Sequence, residues 1–385
     1  MSSVRQQDFI RRMPEASYDL RKKTSLWRTL HIDPTLLVLL LTLTAFGVWV
    51  LYSASEANPR IINRQVMFFV VAYIAMLTIA QIRLALVARW AVVVYAGGLL
   101  LLVAVLFFGV GAKGAQRWLS IGGFRFQPSE IMKLAMPMMI ASYLAYKPLP
   151  PRFKHIFFAL LLVALPTVLI MRQPDLGTSI LVATSGLLVL FYAGLSWRYI
   201  LSALTLLGAS LWPMWQYVLH DYQRQRVLTL FNPESDPRGA GWNIIQSKTA
   251  IGSGGWSGKG WLEGTQSHLD FLPESHTDFI IAVLAEEFGF IGVLLLLLLY
   301  LLIIARGLVI ALHAQDSFRR LLAGSITLTF FIYVFVNVGM VSGLLPVVGV
   351  PLPLVSLGGT SLVTLMVGFG LLMAISTEQR RVTRQ

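Results

Sequence analysis

No cysteine occurs among the 385 residues, which excludes disulfides and thiolate metal sites. Charge is scarce as well. Only 13% of residues are Asp, Glu, Lys or Arg, against about 25% in a soluble domain. An early apolar stretch is also missing. Residues 1–33 are polar and basic, and the first apolar run begins at Pro34. A secretory signal would place its short apolar region earlier, followed by a small-residue cleavage site, so the first span is expected to stay as an anchor. No two histidines have the spacing of metal ligands on a helix, which argues against zinc.

What is present is apolar. Hydrophobic residues make up 56% of the chain, and the mean hydropathy is +0.71. A membrane span needs about 20 mostly apolar residues. Ten such segments are expected, at about 34–54, 62–81, 88–109, 129–146, 155–170, 177–194, 198–217, 278–305, 319–342 and 353–376. They must be helical, because unpaired backbone is costly in hydrocarbon. They lack the alternation of a lipid-facing barrel. The expected fold is an all-α polytopic membrane protein with one large extracytoplasmic loop between spans seven and eight. Its parts are a basic tail (1–33), a membrane domain (34–376, with the loop at 218–277) and a short tail (377–385).

The net charge of +13 does not point to nucleic acid here. In a chain this apolar, basic residues set topology and meet anionic lipid headgroups. With the N-terminus inside, nineteen Lys and Arg fall on the inner side and six on the outer, apart from five on the long loop. Both termini are therefore expected in the cytoplasm, with the long loop outside.

Polar residues in apolar surroundings mark the candidate site. Glu130 and Lys133 stand three residues apart at the start of span four, on one helix face. They form either a local ion pair at the helix start or part of a polar interior. Asp175, in QPDLGTS, is either a helix cap or a site residue. Glu286 and Glu287 cannot both face lipid, and Lys133 is the expected partner of one of them. The loop between spans three and four has turn glycines at Gly111, Gly114, Gly122 and Gly123.

The long loop carries eight glycines between Gly239 and Gly264. Such a stretch is either a flexible surface loop or a backbone that approaches an anion closely. It is not a nucleotide P-loop, since Lys259 is followed by Gly260 rather than Ser or Thr. At its end stands HTDF, His276 to Phe279. Ser275 and Asp278 have capping-box spacing, although Glu or Gln is usual at the second position. Asp278 is thus a helix-end residue or a functional carboxylate. His276 reads as a base, a hydrogen-bond donor or an interfacial residue. The loop before span ten, NVGMVSGLLPVVGVPLPLVSLGGTSL, breaks helices at membrane depth. Such backbone is tolerated only against protein or a cavity, so it is expected to pack on the long loop and wall a cavity.

Together, RFQPSEIMK, QPDLGTSILV, DYQRQRV, NPESDPRGAGWNIIQSK, FLPESHTDFIIAVLAEE and GLLPVVGVPLPLVSLGGTS resemble the SEDS family (shape, elongation, division and sporulation) of peptidoglycan glycosyltransferases. The resemblance runs from about Leu30 to Ser376. LHIDPTLL, DYQRQR and GKGWLEGTQS look more like its elongation branch than its division branch. Trp256, after Gly254 and Gly255, departs from the smaller aliphatic residue expected there. The resemblance implies a ten-span protein of the bacterial cytoplasmic membrane that polymerises lipid II on the outer face. It implies that Asp278 is the essential carboxylate, and that the family's other charged positions fall on Arg117, Glu130, Lys133, Asp175 and Glu286. It also implies a partner, a class B penicillin-binding transpeptidase with a single span.

That chemistry needs a base for a sugar hydroxyl, charge stabilisation for a departing undecaprenyl diphosphate, and a groove for lipid. Asp278 can serve as base, though an aspartate in water is a weak one, with a pKa of about 3.9. Arg117, Lys133, Lys248, Lys259 and loop amides are candidates to meet the diphosphate. A divalent cation, magnesium or manganese, would serve the same purpose, but no dedicated ligand set is visible. The rival reading is a lipid II flippase without chemistry, which needs a polar path to the inner leaflet. A third is a scaffold that only holds the transpeptidase.

Overall fold

The computed structural model describes residues 26–112, 115–121, 124–219, 221–236, 239–265 and 275–378. Most of the basic tail (1–25), the terminal residues 379–385 and three of the expected turn glycines (Gly114, Gly122 and Gly123) lie outside them.

A helical turn, Leu26–Thr29, precedes α1 (Pro34–Ala54), α2 (Pro59–Ala80) and α3 (Leu84–Phe108). Three short strands follow: β1 (Val110–Ala112), β2 (Ala115–Ile121) and β3 (Phe124–Phe126). Then come α4 (Pro128–Ala145), α5 (Phe153–Met171), α6 (Leu176–Tyr192) and α7 (Trp197–Pro213), the last running into a π-helical turn at Met214–Val218. The long connection holds α8 (Asp221–Phe231) and α9 (Ala240–Gly254). The chain ends in α10 (Ile280–Leu312), α11 (Ser317–Val341) and α12 (Thr360–Thr377).

All ten expected apolar segments are helices. Seven of them are long and apolar enough to cross a membrane. The other three, α4, α6 and α7, have 18, 17 and 17 residues. The all-α fold is as expected, with a small antiparallel sheet, in the order β1-β2-β3, added in the connection between spans three and four. Two expectations need correction. The last helix begins at Thr360 instead of 353, because Leu354 is held at φ +61°, outside the right-handed helical region, and Gly359 takes the cap position. The glycine-rich stretch from Ala240 to Gly254 is helix, not open loop.

Helix starts follow local chemistry. Asp33 caps α1 through Leu36 N at 3.0 Å, with Pro34 at the first helical position, where its missing N–H costs nothing. Asn58 and Pro59 repeat the device at α2. The core runs through the bundle and includes Leu40, Met76, Met132, Met136, Leu284 and Phe330. In a bilayer, helices associate through close packing and interhelical hydrogen bonds, not hydrophobic transfer. Ser325 Oγ donates to Ser185 O at 2.7 Å, and Tyr95 OH to Leu162 O at 2.6 Å. By contrast, α7 buries none of its described side chains.

The bundle has two distinct ends. At one, Arg306 grips Asp33 at 2.6 Å, His31 meets Thr377, and Arg319 pairs with Glu378 at 2.8 Å. The chain therefore enters α1 and leaves α12 on the same side. The sheet, α8, α9 and the start of α10 occupy the opposite end, called the sheet end below.

Candidate active site

At the sheet end a cavity of about 330 Å³ opens between the sheet, α4, α6, α11 and the segment from Gly349 to Leu362. Four cationic side chains line it (Arg64, Arg117, Arg125 and Lys133) against two carboxylates, Glu130 and Asp175. The balance suits an anion.

Each carboxylate is held. Lys133 Nζ donates to Glu130 Oε1 at 2.7 Å, with both side chains at 10% exposure or less. Lys133 also stands 5.2 Å from the centroid of the Tyr333 ring. The Glu130–Lys133 spacing thus gives both things expected of it, an ion pair and a place in the cavity wall. Asp175 caps α6 by accepting from Thr178 N at 3.2 Å. Its other oxygen accepts from Gln127 Nε2 at 2.9 Å and lies 3.8 Å from Arg117 Nε. Arg117 also donates to the carbonyl of Pro174. Cap and cavity residue are therefore one and the same for Asp175.

The opposite wall is the helix-breaking segment, and side chains satisfy its backbone. Tyr300 OH donates to Pro353 O at 2.6 Å and Gln65 Nε2 to Ser356 O at 3.2 Å. Gln65 Oε1 accepts from Gly358 N at 3.2 Å, and Ser356 Oγ from Leu352 N at 2.9 Å. This is how non-helical backbone is tolerated at membrane depth. The long loop joins the wall as expected, since Leu357 N donates to His276 O at 2.9 Å.

Asp278 is not itself among the residues that line the cavity, but it stands at the rim beside Gly349, which is. A methyl group placed on Gly349 would stand 3.6 Å from Asp278 Oδ2. The main chain here is pinned by Asn337, whose Nδ2 donates to Asp278 O at 2.9 Å and Val350 O at 2.7 Å. Phe279 occupies the cap position of α10, with no side-chain cap hydrogen bond. The helix starts at Ile280 and Ser275 Oγ turns to Ala54 O, so Ser275 and Asp278 do not form the capping box that their spacing allowed. His276 is half-buried and contributes its carbonyl to the wall.

The contact expected between Lys133 and one of Glu286 and Glu287 is not the one formed. Glu286 takes Lys259 as partner at 2.7 Å, not Lys133. Glu287 accepts a hydrogen bond from Ser53 of α1. Lys133 is instead paired with Glu130, one turn away on its own helix. Lys248 is exposed and lies against Gly343 just past α11. Neither Lys248 nor Lys259 lines the cavity. The glycine-rich amides are engaged too: Lys259 N donates to Glu286 O at 3.0 Å and Gly260 N to Glu287 O at 3.1 Å. An anion cradle at those two amides is ruled out.

Sequence reading passed over Arg64 and Arg125 as cavity cations, and Asn337 as a support. Arg125 stood within RFQPSEIMK, and an asparagine inside an apolar helix was itself a signal. Among the described residues, no group of three or more metal-ligating side chains converges. Glu130 and Asp175 are already paired with cations. This donor set does not fit a protein-held divalent ion.

Below the cavity, beside Glu130 and Lys133, a small space of about 30 Å³ is lined by Leu134, Pro137, Ile326, Phe330, Leu365 and Gly368 with Thr329, Tyr333, Ser361 and Thr364, and the surface exposed to it is mostly apolar. It adjoins an apolar groove of about 550 Å³ between α2, α3, α4 and α12, which shares Leu134 and Thr364 with it. Polar lining thus gives way to apolar lining toward the far end.

Comparison with known proteins places this geometry in context. The profile of the FtsW, RodA and SpoVE family, described as cell cycle protein, matches residues 34–381. The peptidoglycan glycosyltransferase MrdB of Escherichia coli K12 is 53% identical over 366 residues, covering 95% of this chain and 99% of its own. The peptidoglycan glycosyltransferase RodA of Treponema pallidum is 34% identical, covering 90% and 98%. Among solved structures, a chain from a peptidoglycan synthase complex that coordinates polymerization and crosslinking superposes with a TM-score of 0.80. It is 32% identical, with 91% and 98% covered. The rod shape determining protein RodA of Thermus thermophilus gives 0.68 at 29% identity, covering 89% and 96%.

Proposed function

The chain belongs to the FtsW, RodA and SpoVE family of cell cycle proteins, and from that premise we propose that its cavity polymerises lipid II with Asp278 as general base. It is a multi-pass membrane protein and a peptidoglycan glycosyltransferase, as its relatives are named. The substrate, the base and the facing of the site are our reading.

The observation that carries it is the position of Asp278 on the rim of a cavity lined by Arg64, Arg117, Arg125 and Lys133. In the proposed step, a sugar hydroxyl of one lipid-linked chain gives its proton to the Asp278 carboxylate. Its oxygen then bonds to the anomeric carbon of the second substrate. The bond from that carbon to the diphosphate oxygen breaks, and undecaprenyl diphosphate leaves with the electron pair. The four cations stabilise the developing negative charge, and preorganised charge of this kind is a large catalytic term. One carboxylate base and no covalent intermediate give inversion at the anomeric carbon.

The apolar groove between α2, α3, α4 and α12 suits a prenyl chain, with its diphosphate reaching up to the cations. The positive-inside count directs the sheet end, and with it the cavity, toward the periplasm. A class B penicillin-binding transpeptidase is the proposed partner, by likeness to the synthase complex. Flipping without chemistry fits less well, because a flippase needs polar groups along the whole path and here the lining turns apolar below Glu130 and Lys133.

The test is polymerisation of lipid II in detergent by the purified protein with its partner, repeated with Asp278→Asn. Glycan strands from the wild type alone support the reading. Equal polymer from both would remove Asp278 as base. No polymer from either, with lipid II crossing vesicle bilayers, would favour the flippase.

A further inference from the structure

Glu286 has no exposed side-chain surface, yet it does not line the cavity. Its Oε1 gathers three donors: Lys259 Nζ at 2.7 Å, Thr265 N at 2.8 Å and Thr265 Oγ1 at 3.1 Å. Lys259 Nζ donates to Thr265 Oγ1 as well, at 2.8 Å. A buried charge demands this compensation. The location of the cluster points to what it does.

The helix α10 is broken at Gly289, where φ is +64° and ψ −162°. Around the break the loop after α9 supplies the missing partners. Phe290 N donates to Gly255 O at 2.9 Å and Ile291 N to Trp256 O at 3.2 Å. In the other direction, Lys259 N and Gly260 N donate to Glu286 O and Glu287 O. The loop backbone is spliced into the helix. Gly258, at φ +79°, permits it, because a Cβ there would collide with the Glu287 carbonyl.

The splice separates Ile280–Phe288 from the rest of α10 as a short rod. Residues Ile280 to Glu287 are buried without exception. Asp278 stands two residues before the rod begins. Nine helical residues span about 13 Å, so a tilt of about 5° moves the end by about 1 Å. A displacement of that size at a reacting group costs roughly 100-fold in rate. Among the described residues, side-chain ties hold the rod's far end: Glu287 to Ser53 of α1, and Glu286 to Lys259 and Thr265 of the loop.

We infer that Lys259 and Glu286 are positioning residues for glycosyl transfer: their buried ion pair locks the rod Ile280–Phe288 and so fixes Asp278 at the cavity rim. The inference rests on the reading of Asp278 as base. It removes Lys259 from the candidate diphosphate ligands and gives the loop a mechanical role.

The experiment measures kcat, KM for lipid II and Tm for Lys259→Met, Lys259→Arg, Glu286→Gln and the double variant Lys259→Met/Glu286→Gln. Asp278→Asn is the reference. Lys259→Met should lose roughly 10–100-fold in kcat, with KM changed less than about threefold. Lys259→Arg, which keeps the charge, should recover most of that loss. The double variant should be no worse than the poorer single one, since both remove one tie. A kcat for Lys259→Met within twofold of wild type, with Asp278→Asn inactive, would overturn the positioning role and leave the base assignment standing. A large rise in KM at unchanged kcat would make Lys259 a substrate ligand instead. Loss of kcat that Lys259→Arg does not restore and that follows Tm across the set would reduce the pair to fold stability. Full polymerisation by Asp278→Asn would remove the base and this inference together.

Discussion

Asn337 Nδ2 lies 2.9 Å from the carbonyl oxygen of Asp278, tying the C-terminal end of α11 to the residue before the α10 cap. The same nitrogen reaches Val350 O at 2.7 Å. One buried amide thus fixes both the proposed base and the wall it faces. Asn337→Leu removes both bonds at nearly constant volume and leaves two carbonyls needing partners. Each unsatisfied buried group costs about 1–3 kcal/mol. The expected result is a lower Tm and a kcat reduced more than KM is raised. A variant with wild-type kcat would show that Asn337 does not support Asp278.

The Glu130–Lys133 pair separates stability from catalysis. Both side chains are nearly buried, so Lys133→Met leaves a carboxylate without its cation, a loss of about 3–5 kcal/mol. The double variant Glu130→Leu/Lys133→Met replaces the pair by apolar groups and should regain most of the Tm. It should not regain polymerisation, because the cavity still lacks the cation. Recovery of both would reduce Lys133 to a structural role.

Much of this was legible in the sequence because bilayers impose few solutions. Ten apolar runs had to be helices, and the Pro–Gly run after α11 had to be shielded by protein. The pairing of charges was less legible. Lys133 could be matched to Glu286 only by guesswork, since spacing reports neighbours on one helix and not across helices. The glycines from Gly239 to Gly264 misled for a physical reason. Glycine permits close approach of any backbone, and at Gly254, Gly258 and Gly260 the partner is the region of α10 before its break rather than an anion. Asp278 could not be told from a cap until the helix start was seen at Ile280.

Arg64 and Arg125 line both the main cavity and a neighbouring space of about 320 Å³ that opens beside the sheet. Under the proposed function they would meet the diphosphate at the cavity entrance. Hydrogen bonds to a charged group contribute about 1.5–3 kcal/mol, so Arg64→Ala and Arg125→Ala should each lower kcat/KM by roughly 10–100-fold. Raised salt should weaken the wild type more than either variant, because screening acts on charges that the variants have lost. Variants within twofold of wild type at low salt would exclude these arginines as ligands.

Two glycines of the same loop region should respond in opposite directions. Gly252 is exposed near the end of α9, and a Cβ there meets nothing within 4 Å. Gly252→Ala should raise stability by about 0.5–1 kcal/mol through helix propensity and a less flexible unfolded chain. Gly258 sits at φ +79°, and a Cβ there would overlap the backbone of Glu287 and Phe288. The left-handed conformation alone costs an L-residue about 1–2 kcal/mol, and the overlap adds to it by forcing the splice apart. Gly258→Ala should therefore lower Tm and, if the rod is released, polymerisation as well. Thermal unfolding of the two variants in the same detergent decides the point. Equal Tm values would mean that the loop does not depend on its insertion at Gly289.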